Sequence, residues 1–390
     1  MVGPGAAPNP TRVLFVTAAK QRGGAEDTIE QIVGHLDRRR FEPVLAAPAS
    51  GRLLDRWRDR GWTVVGLPSG GGLYRLDRRV HVVAVLSAAI THHEIDIVHA
   101  HGVIAQIHAG VAARWSHRRS VFHVPDIFDT RWSVDAMLQR LALRAPSDAV
   151  IAISDAVAAA LPRRVRPKMH VIPLAADRAI VEPVDWTRGK PIPAATPLVV
   201  WCGRLQRWKG AHLFLDAAAT IHAARPDVRF AIVGGTVFGR EPCYAEELRR
   251  QAAGLGLSDV VEFTGQVDDA RAWMRAASVV IHSSARPEPF GLVMVEAMMQ
   301  ERPVVGFRQG GAAEIVADGE TGRLVPVSDT RAMAAATLSL LQDDAVRLAM
   351  GRAGRERALA RFEAGLMTRA IEQVYDRVAA ACPQAPRVPL

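Results

Sequence analysis

Short runs of apolar residues alternate with amphipathic helical patterns along most of the chain. The first run, residues 12–17, is followed by a turn that contains Gly23 and Gly24 and then by apolar positions at helical spacing as far as Leu36. Short apolar runs between turn signals are typical of buried strands. Further strands are predicted at residues 42–46, 63–66, 97–99, 120–123, 149–152 and 169–172. Because strand and helix alternate, the pattern predicts a doubly wound parallel α/β sheet.

The alternation lapses at residues 182–197, which read EPVDWTRGKPIPAATP. Proline fits neither a central strand nor a helix interior, so this segment predicts a linker between domains. A second series follows, with strands predicted at residues 198–202, 229–233, 260–263, 279–282, 303–306 and 322–325. We expect two Rossmann-like domains facing across a cleft: residues 1–183, a linker at 184–197, residues 198–365, and a terminal helix at 366–390, for which packing on the first domain is one option.

The composition is that of an ordinary globular enzyme. The 390 residues are 49% hydrophobic and 23% charged, which makes two domains more natural than one core. The cysteines lie far apart, at Cys202, Cys243 and Cys382, so neither a disulfide framework nor a zinc site is indicated. No secretory leader or membrane-spanning stretch is recognisable. We expect a cytoplasmic protein.

The net charge of +9 lies mostly in the first half of the chain. Residues 1–183 carry 24 Lys and Arg against 17 Asp and Glu. Such an excess suits nucleic acid, an anionic membrane or an anionic acceptor, or reflects only a preference for arginine. Nucleic acid is disfavoured because arginines alternate with acids at residues 52–60. Residues 51–62 and 74–86 mix basic and apolar positions, and an ordinary surface helix there is favoured over peripheral contact with an anionic membrane.

Two glutamates give the strongest chemical signal. After a predicted strand, SSARPEPFG leads into a helix that begins LVMVEAMMQ, which places Glu288 in the loop and Glu296 in the helix. Both carboxylates can then face the crevice at the carboxyl ends of the strands, where such sheets bind ligands. The backbone amides of Phe290, Gly291 and Leu292 would favour an anion such as a diphosphate. A helix-start acid and a solvated helical residue are the alternatives, and the apolar neighbours of Glu296 disfavour them.

Cations and histidines complete the set of candidates. The glycine turn in VVWCGRLQRWKG presents Arg204 and Lys209, which together can neutralise a diphosphate. His99 and His101 form a pair on one strand face that suits a metal, but no third ligand follows in the motif, so no metal is expected. His123 ends the predicted strand SVFH, and the residues alone favour a structural histidine there.

Three segments, GRLQRWKG, EPFGLVMVE and PVVGFRQGGAAEIVADGETGRLVP, resemble glycosyltransferase family 4, which comprises retaining enzymes of the GT-B fold. GGAE at residues 23–26, DIVHAHG at 96–102 and AISDAV at 152–157 extend the resemblance over most of the chain. The chain departs from the family at residues 173–175, where Pro-Leu-Ala replaces a common Pro-Asn-Gly, and after His123, where HVPDIFD replaces a Thr-x-His-Asp pattern. Hinge and acceptor contacts are therefore expected to differ.

The resemblance implies a role for each candidate residue. Arg204 and Lys209 would bind the diphosphate and stabilise the leaving group, Glu296 would bind the ribose, and Glu288 would lie beside the donor sugar. Backbone contacts with sugar and phosphate are expected from Phe290, Gly291, Leu292 and Val293, and phosphate contacts from Gly23 and Gly24. His123 would have an active-site role, and the acceptor side is assigned to His101, Asp126 and Asp129.

The activity implied by the resemblance is transfer of a hexosyl group with retention of anomeric configuration, without a metal or other cofactor. The donor is a nucleotide diphosphate sugar, with UDP-sugars favoured over GDP-mannose. The acceptor is a saccharide, a lipid-linked glycan or a small-molecule natural product. A nucleotide-sugar epimerase or a phosphorylase explains the candidate residues less well. From a different class, a non-catalytic nucleotide-sugar-binding or membrane-associated scaffold protein is the alternative.

Overall fold

The computed structural model describes residues 9–19, 24–50, 52–68, 76–128, 134–187, 196–236 and 241–380. The chain forms two compact units. Unit 1 consists of Met1–Leu174 together with Ala364–Leu390, and unit 2 consists of Ala175–Glu363. Each unit is built on its own parallel sheet.

Unit 1 contains a seven-stranded sheet in the order β3-β2-β1-β4-β5-β6-β7. Its strands are β1 (Thr11–Thr17), β2 (Phe41–Pro48), β3 (Val64–Leu67), β4 (Ile97–His101), β5 (Arg119–Val124), β6 (Ala149–Ala152) and β7 (Met169–Val171). All the pairings are parallel. Its helices are α1 (Gly24–His35), α2 (Arg52–Asp59), α3 (Leu76–His92), α4 (Val103–Trp115), α5 (Val134–Arg144), α6 (Asp155–Ala160) and, from the end of the chain, α14 (Ala364–Ala380).

Unit 2 contains a six-stranded parallel sheet in the order β10-β9-β8-β11-β12-β13. Its strands are β8 (Leu198–Cys202), β9 (Arg229–Val233), β10 (Val261–Gly265), β11 (Val279–His282), β12 (Val304–Phe307) and β13 (Gly322–Val325). Its helices are α7 (Ala211–Ala224), α8 (Tyr244–Gly254), α9 (Ala270–Ala276), α10 (Leu292–Met299), α11 (Ala312–Ile315), α12 (Thr330–Gln342) and α13 (Asp344–Arg361).

The strands are strongly specified because helices cover both faces of a doubly wound sheet. A strand buried on both faces reads as a continuous apolar run, as in LVVWC of β8, where all five residues are buried. Helix starts are specified by short polar side chains. Ser154 caps α6 by accepting a hydrogen bond from the backbone N–H of Val157 at 3.0 Å, and Asp343 caps α13 in the same way through Val346, also at 3.0 Å.

Both sheets have the same strand order, so the same topological feature recurs. The chain moves outward from β1 through β2 to β3 and then returns to the other side of β1 with β4. In unit 2, β8 and β11 are neighbours for the same reason. Loops that leave two such strands diverge to opposite faces of the sheet and leave a crevice at the carboxyl ends of the strands. Each unit therefore has one natural place for a ligand.

The terminal helix α14 belongs to unit 1 and packs against α1. Its Glu372 accepts a hydrogen bond from the backbone N–H of Asp37 at 2.8 Å, and its Asp376 forms an ion pair with Arg40 at 2.6 Å. Tyr375 between them is fully buried and makes an edge contact with Phe41. These contacts fix the last helix to the start of β2.

The expected boundary at residue 183 falls later than the boundary between the units, which lies after residue 174. The intervening segment joins unit 2 because Gln300 holds it: the side-chain amide donates to Ala179 O at 2.8 Å and accepts from Val181 N at 3.0 Å. Val184, at the start of the expected linker, donates to Ala272 O at 3.1 Å. Residues 188–195 of that linker lie outside the described residues.

Residues 51–62 do not provide an apolar face for a membrane. Leu53, Leu54 and Trp57 on α2 are buried, so the ordinary packed helix is the correct interpretation of this stretch. In residues 74–86, Val83 and Leu86 are also buried, and residues 74 and 75 lie outside the described part of the chain. None of the described helices combines the length and apolar content that a bilayer-spanning helix needs.

Candidate functional site

The crevice of unit 2 lies beside the carboxyl ends of β8 and β11. The segment after β8 carries Arg204 and ends in a short 3-10 helix, Arg207–Lys209, while the segment after β11 is residues 283–291, which lead to α10. The two loops come from adjacent strands although about 80 residues separate them in the chain. The topology therefore brings together the two motifs that the sequence singled out.

Gly210 joins these two loops tightly. It adopts a left-handed conformation with φ +77°, and a Cβ atom there would lie 1.8 Å from the carbonyl oxygen of Ser283. Ser283 Oγ in turn donates to Gly210 O at 2.7 Å. Only glycine permits both the conformation and the close approach. The position of Lys209, one residue earlier, is thereby fixed relative to the loop that follows β11.

The carboxylate of Glu288 is the centre of this site. Lys209 Nζ donates to Glu288 Oε1 at 2.6 Å, and Ser284 Oγ donates to Oε2 at 2.8 Å. His282 Nε2 lies 3.4 Å from the same Oε2 atom. The side chains of Lys209 and Glu288 are 17% and 8% exposed, so the ion pair is largely shielded from water.

The environment keeps Glu288 ionised. Burial alone would raise the pKa of its carboxyl, but the charge of Lys209 and the hydrogen bonds from His282 and Lys209 outweigh burial and hold this pKa well below its usual range. At neutral pH the group is a hydrogen-bond acceptor and cannot act as a general acid. Lys209 uses one of its three N–H groups on Glu288, which leaves donors for an anion.

The loop before α10 is clamped by the Gly310-Gly311 pair. A Cβ atom on Gly310 would lie 2.3 Å from Glu288 O, and one on Gly311 would lie 2.1 Å from Phe290 O. Gly311 N donates to Glu288 O at 2.9 Å. Gly291 then begins α10 with φ +104° and no side-chain cap. The first-turn N–H groups, which include those of Leu292 and Val293, lack intrahelical acceptors and are suited to an anion.

The remaining candidates of unit 2 lie in this neighbourhood. Arg204 is exposed and forms no ion pair with any residue that the structure describes. Glu296 is half-buried on α10. The pKa of the Cys202 thiol at the end of β8 is raised first by the burial of that thiol and second by the charge of Glu296. Phe290 is buried against Phe362, so its backbone, and not its ring, is left to contact a ligand.

Unit 1 places three histidines side by side at its own switch point. His99 and His101 lie on the same face of β4, and His123 of β5 is the register partner of His101. All three are buried. His99 Nε2 lies 3.1 Å from His123 Nδ1, and His99 Nδ1 lies 2.5 Å from the hydroxyl of Tyr375 on α14. The rings of His101 and His123 have centroids 4.5 Å apart.

Burial keeps these histidines neutral. It lowers the pKa of His101 to about 4, and together with the neighbouring His101 it lowers the pKa of His99 to about 3. Burial and both neighbours place the pKa of His123 well below its ordinary value. Both ring nitrogens of His101 and Nε2 of His123 are buried without a partner among the described residues. Such atoms are costly unless a ligand satisfies them.

The three imidazoles are close enough for a metal site to be considered, since one nitrogen of each lies within 4.8 Å of the others. The HAH motif itself offers two of these ligands, and His123 supplies a third from the next strand. However, both nitrogens of His99 are engaged in hydrogen bonds. Binding of a metal by all three rings would therefore require His99 to lose one of these two hydrogen bonds. The geometry shown is that of a hydrogen-bonded chain.

The other candidates of unit 1 are more scattered. Gly24 is the first residue of α1, while Gly23 lies outside the described residues. Asp126 is exposed in the segment after β5, and Asp129 lies outside the described part, as does Cys382. Glu26, which the sequence did not single out, is buried and accepts a hydrogen bond from Thr17 Oγ1 at 3.1 Å. Thr17 is the register partner of His101.

Two family models match the chain. The model described as Glycosyltransferase Family 4 matches residues 22–179, and the model described as Glycosyl transferases group 1 matches residues 196–343. Together they match most of both units. The chain belongs to glycosyltransferase family 4, and its two Rossmann-like domains are those of the GT-B fold.

Among characterised relatives, the chain is 39% identical over 173 residues to a phosphatidyl-myo-inositol mannosyltransferase of Mycobacterium leprae, a match that covers 44% of each protein. It is 34% identical over 235 residues to LpsB, a lipopolysaccharide core mannosyltransferase of Rhizobium meliloti, covering 59% of this chain and 65% of that relative. These matches span less than two thirds of the relatives' own length.

Solved structures match over nearly the whole chain. HepE of Anabaena, in complex with UDP, has a TM-score of 0.82 and 26% identity, and the match covers 94% of this chain and 100% of HepE. Its complex with UDP-glucose has a TM-score of 0.81 over 95% of this chain and 99% of HepE, also at 26% identity. The two-domain architecture predicted from the sequence is confirmed.

Proposed function

We propose that the chain is a retaining, metal-independent glycosyltransferase that moves a hexosyl group from a nucleotide diphosphate sugar to an acceptor hydroxyl. The observation that carries this proposal is the crevice of unit 2. There Lys209, held by an ionised and buried Glu288, shares a loop with the exposed Arg204 and adjoins the amino terminus of α10. Three kinds of anion-binding group thus converge at the place where this topology binds ligands.

A diphosphate fits this combination of groups. Arg204 offers a planar guanidinium with several donors, and Lys209 offers a point charge whose direction is set by Glu288. The first-turn amides of α10 add donors that need no side chain. Glu296, half-buried further along α10, is suited to accept hydrogen bonds from ribose hydroxyls. Because the positive charge comes from side chains and amides, the diphosphate does not require a metal ion to be neutralised.

The chemistry follows from where charge develops. The bond between the anomeric carbon and the phosphate oxygen breaks, negative charge builds on the diphosphate, and Arg204 and Lys209 stabilise that charge. The acceptor oxygen forms the new bond to the anomeric carbon, and its proton passes to the leaving phosphate. Glu288 is held ionised and hydrogen-bonded, so its proposed role is to orient Lys209 and accept a hydrogen bond from the sugar. Retention of configuration is proposed from membership of the family.

We assign the acceptor-side residues to unit 1. His123 and His101 carry buried nitrogens that a substrate oxygen would satisfy. The relatives include mannosyltransferases of an inositol lipid and of a lipopolysaccharide core, and HepE was solved with UDP-glucose. We therefore expect mannosyl or glucosyl transfer, with a UDP-sugar first and GDP-mannose second, to a saccharide or lipid-linked acceptor. A cytoplasmic location is part of this proposal.

Donor turnover tests the proposal. The purified protein is incubated with UDP-glucose or GDP-mannose, excess EDTA and a panel of inositol-containing and saccharide acceptors, and release of the nucleotide diphosphate is followed. We expect release that depends on an acceptor, persists in EDTA and falls at least a hundredfold in Lys209→Ala, since lost leaving-group stabilisation costs about 3 kcal/mol. The neighbouring exposed Arg207→Ala is the control. Loss of turnover in EDTA would refute metal independence, and nucleotide binding without turnover with any acceptor would support a non-catalytic binding protein.

A further inference from the structure

A continuous hydrogen-bonded chain links the last helix of the protein to His123. It runs from the hydroxyl of Tyr375 on α14 to His99 Nδ1 at 2.5 Å, and from His99 Nε2 to His123 Nδ1 at 3.1 Å. All three side chains are fully buried, so no water competes for these bonds. The far end of the chain, His123 Nε2, has no partner among the described residues. The chain therefore ends at a buried nitrogen whose hydrogen-bonding capacity is not used by any described residue.

The proton positions along this chain follow from the donors and acceptors at hand. In the part of the molecule that the structure describes, the hydroxyl of Tyr375 has His99 Nδ1 as its sole hydrogen-bond partner. A buried O–H group without an acceptor costs about 1–3 kcal/mol, so Tyr375 donates to His99. Burial, with the nearby Glu372, also raises the pKa of Tyr375 well above its ordinary value, which keeps the hydroxyl proton in place.

The direction of the hydrogen bond from Tyr375 then fixes which nitrogen carries the proton in the rings of His99 and His123. A neutral imidazole has one N–H and one bare nitrogen. Because His99 accepts at Nδ1, its proton is on Nε2, and that N–H donates to Nδ1 of His123. His123 must therefore carry its own proton on Nε2. The opposite polarity would leave the hydroxyl proton of Tyr375 with no acceptor in a fully buried position.

We propose that Tyr375 is a positioning residue that acts through His99 to hold His123 as the neutral tautomer protonated at Nε2, so that His123 serves the transfer reaction as a hydrogen-bond donor and not as a base. This inference rests on the proposed function for the identity of the ligand, which would be an oxygen of the sugar or of the acceptor. A donor at this place cannot remove the acceptor proton, which agrees with proton transfer to the leaving phosphate.

The packing of α14 makes this a rigid arrangement. Tyr375 makes an edge contact with Phe41, with ring centroids 5.5 Å apart, and His99 stacks on Phe15 at 5.1 Å. On either side of Tyr375, Glu372 and Asp376 tie the helix to the segment before β2. α14 is thus attached to unit 1 at the point where the hydroxyl of Tyr375 reaches His99 on β4. The contribution of α14 to the histidine chain is one oriented hydrogen-bond donor, the Tyr375 hydroxyl.

Nuclear magnetic resonance tests the tautomer without any substrate. Long-range proton–nitrogen correlations of histidine-labelled, full-length protein distinguish rings protonated at Nδ1 from rings protonated at Nε2, and His123→Gln identifies the signals of His123. We expect wild-type His123 to be protonated at Nε2. In Tyr375→Phe, which keeps the ring but removes the hydroxyl, His99 can reverse, and His123 should show a mixture of tautomers or the Nδ1-protonated form.

Tyr244→Phe is the matched control, because it removes a buried hydroxyl that is bonded to a histidine, His212, at 2.8 Å in unit 2. It should leave the His123 signals unchanged. Wild-type protein with His123 protonated at Nδ1 would overturn the proposal, and so would a spectrum of Tyr375→Phe identical to that of wild type. Stoichiometric zinc, nickel or copper bound to the His99, His101 and His123 rings in the purified protein would also overturn it.

Turnover tests the functional half separately. In Tyr375→Phe, acceptor-dependent release of nucleotide should fall about tenfold in kcat, the equivalent of one lost hydrogen bond, while the Kd for the nucleotide stays within about twofold. Unchanged kcat in a variant whose tautomer has shifted would overturn the catalytic role of the chain. If the wild-type protein shows no turnover, the proposed function fails while the tautomer result stands, so the two failures are distinguishable.

Discussion

Mild acid should destabilise unit 1 because its histidines are buried in the neutral form. His101 is the clearest case, since neither ring nitrogen has a partner among the described residues and burial lowers its pKa from 6.5 to about 4. The folded pKa lies below the unfolded value, so the unfolded state takes up the proton first as the pH falls. The contribution of neutral His101 to the free energy of unfolding is therefore complete above about pH 6.5, and it is lost progressively as the pH falls toward the folded pKa.

The magnitude follows from the two pKa values. At about pH 5, preferential protonation of the unfolded state costs about 2 kcal/mol for His101 alone. For a unit of this size, 2 kcal/mol corresponds to a shift of roughly 4–8 °C in the transition temperature. His101→Gln removes this titration. The wild-type loss of stability between about pH 7.5 and about pH 5 should therefore exceed the loss in the variant by about 2 kcal/mol.

Calorimetric scans of the full-length protein across this pH range, fitted for the transition of unit 1, give the comparison. His81→Gln, at an exposed position of α3, is the control for replacing a histidine outside the buried cluster. Equal losses in wild type and His101→Gln would contradict this prediction, because they would mean that His101 titrates alike in the folded and unfolded chain.

Two further predictions concern unit 2. Lys209→Met leaves the shielded Glu288 carboxylate without its cation and should destabilise unit 2 by about 2–4 kcal/mol. Arg207→Met breaks an exposed ion pair on the same 3-10 helix and should cost less than about 1 kcal/mol. Equal losses of stability in thermal scans of the two variants would contradict this. Gly311→Ala should displace the loop before α10 and reduce nucleotide affinity at least tenfold. Gly254→Ala, with open space around the added Cβ atom, should have no effect on binding. Unchanged affinity in both variants would contradict the role of Gly311 in holding this loop.

The strands could be predicted because strands buried in a parallel sheet appear in the sequence as continuous apolar runs. The apolar runs at residues 198–202, 279–282 and 149–152 are strands with those same bounds in the structure. The boundary between the two units was harder to predict from the sequence. Residues 175–183 carry no apolar pattern of their own, and they belong to unit 2 through the side chain of Gln300, which lies more than a hundred residues away.

The candidate site was predicted residue by residue but not as a set of contacts. Lys209 and Glu288 were expected to act on a ligand, and their ion pair became visible only in three dimensions, across a separation of 79 residues. The histidine chain was missed for the same reason. His123 comes from a different strand than His99, and Tyr375 comes from a helix at the other end of the chain. A hydroxyl on a terminal amphipathic helix carries no local signal.

Calorimetric titration measures whether the crevice of unit 2 binds the diphosphate of a nucleotide sugar. UDP and GDP are titrated into the wild-type protein and into folded Arg204→Ala and Glu296→Ala variants, with EDTA present. We predict micromolar binding of one nucleotide, weakened at least tenfold by each substitution, since each removes about 1.5–3 kcal/mol of charge-assisted hydrogen bonding. Failure of both nucleotides to bind, or binding that survives both substitutions, would contradict the claim.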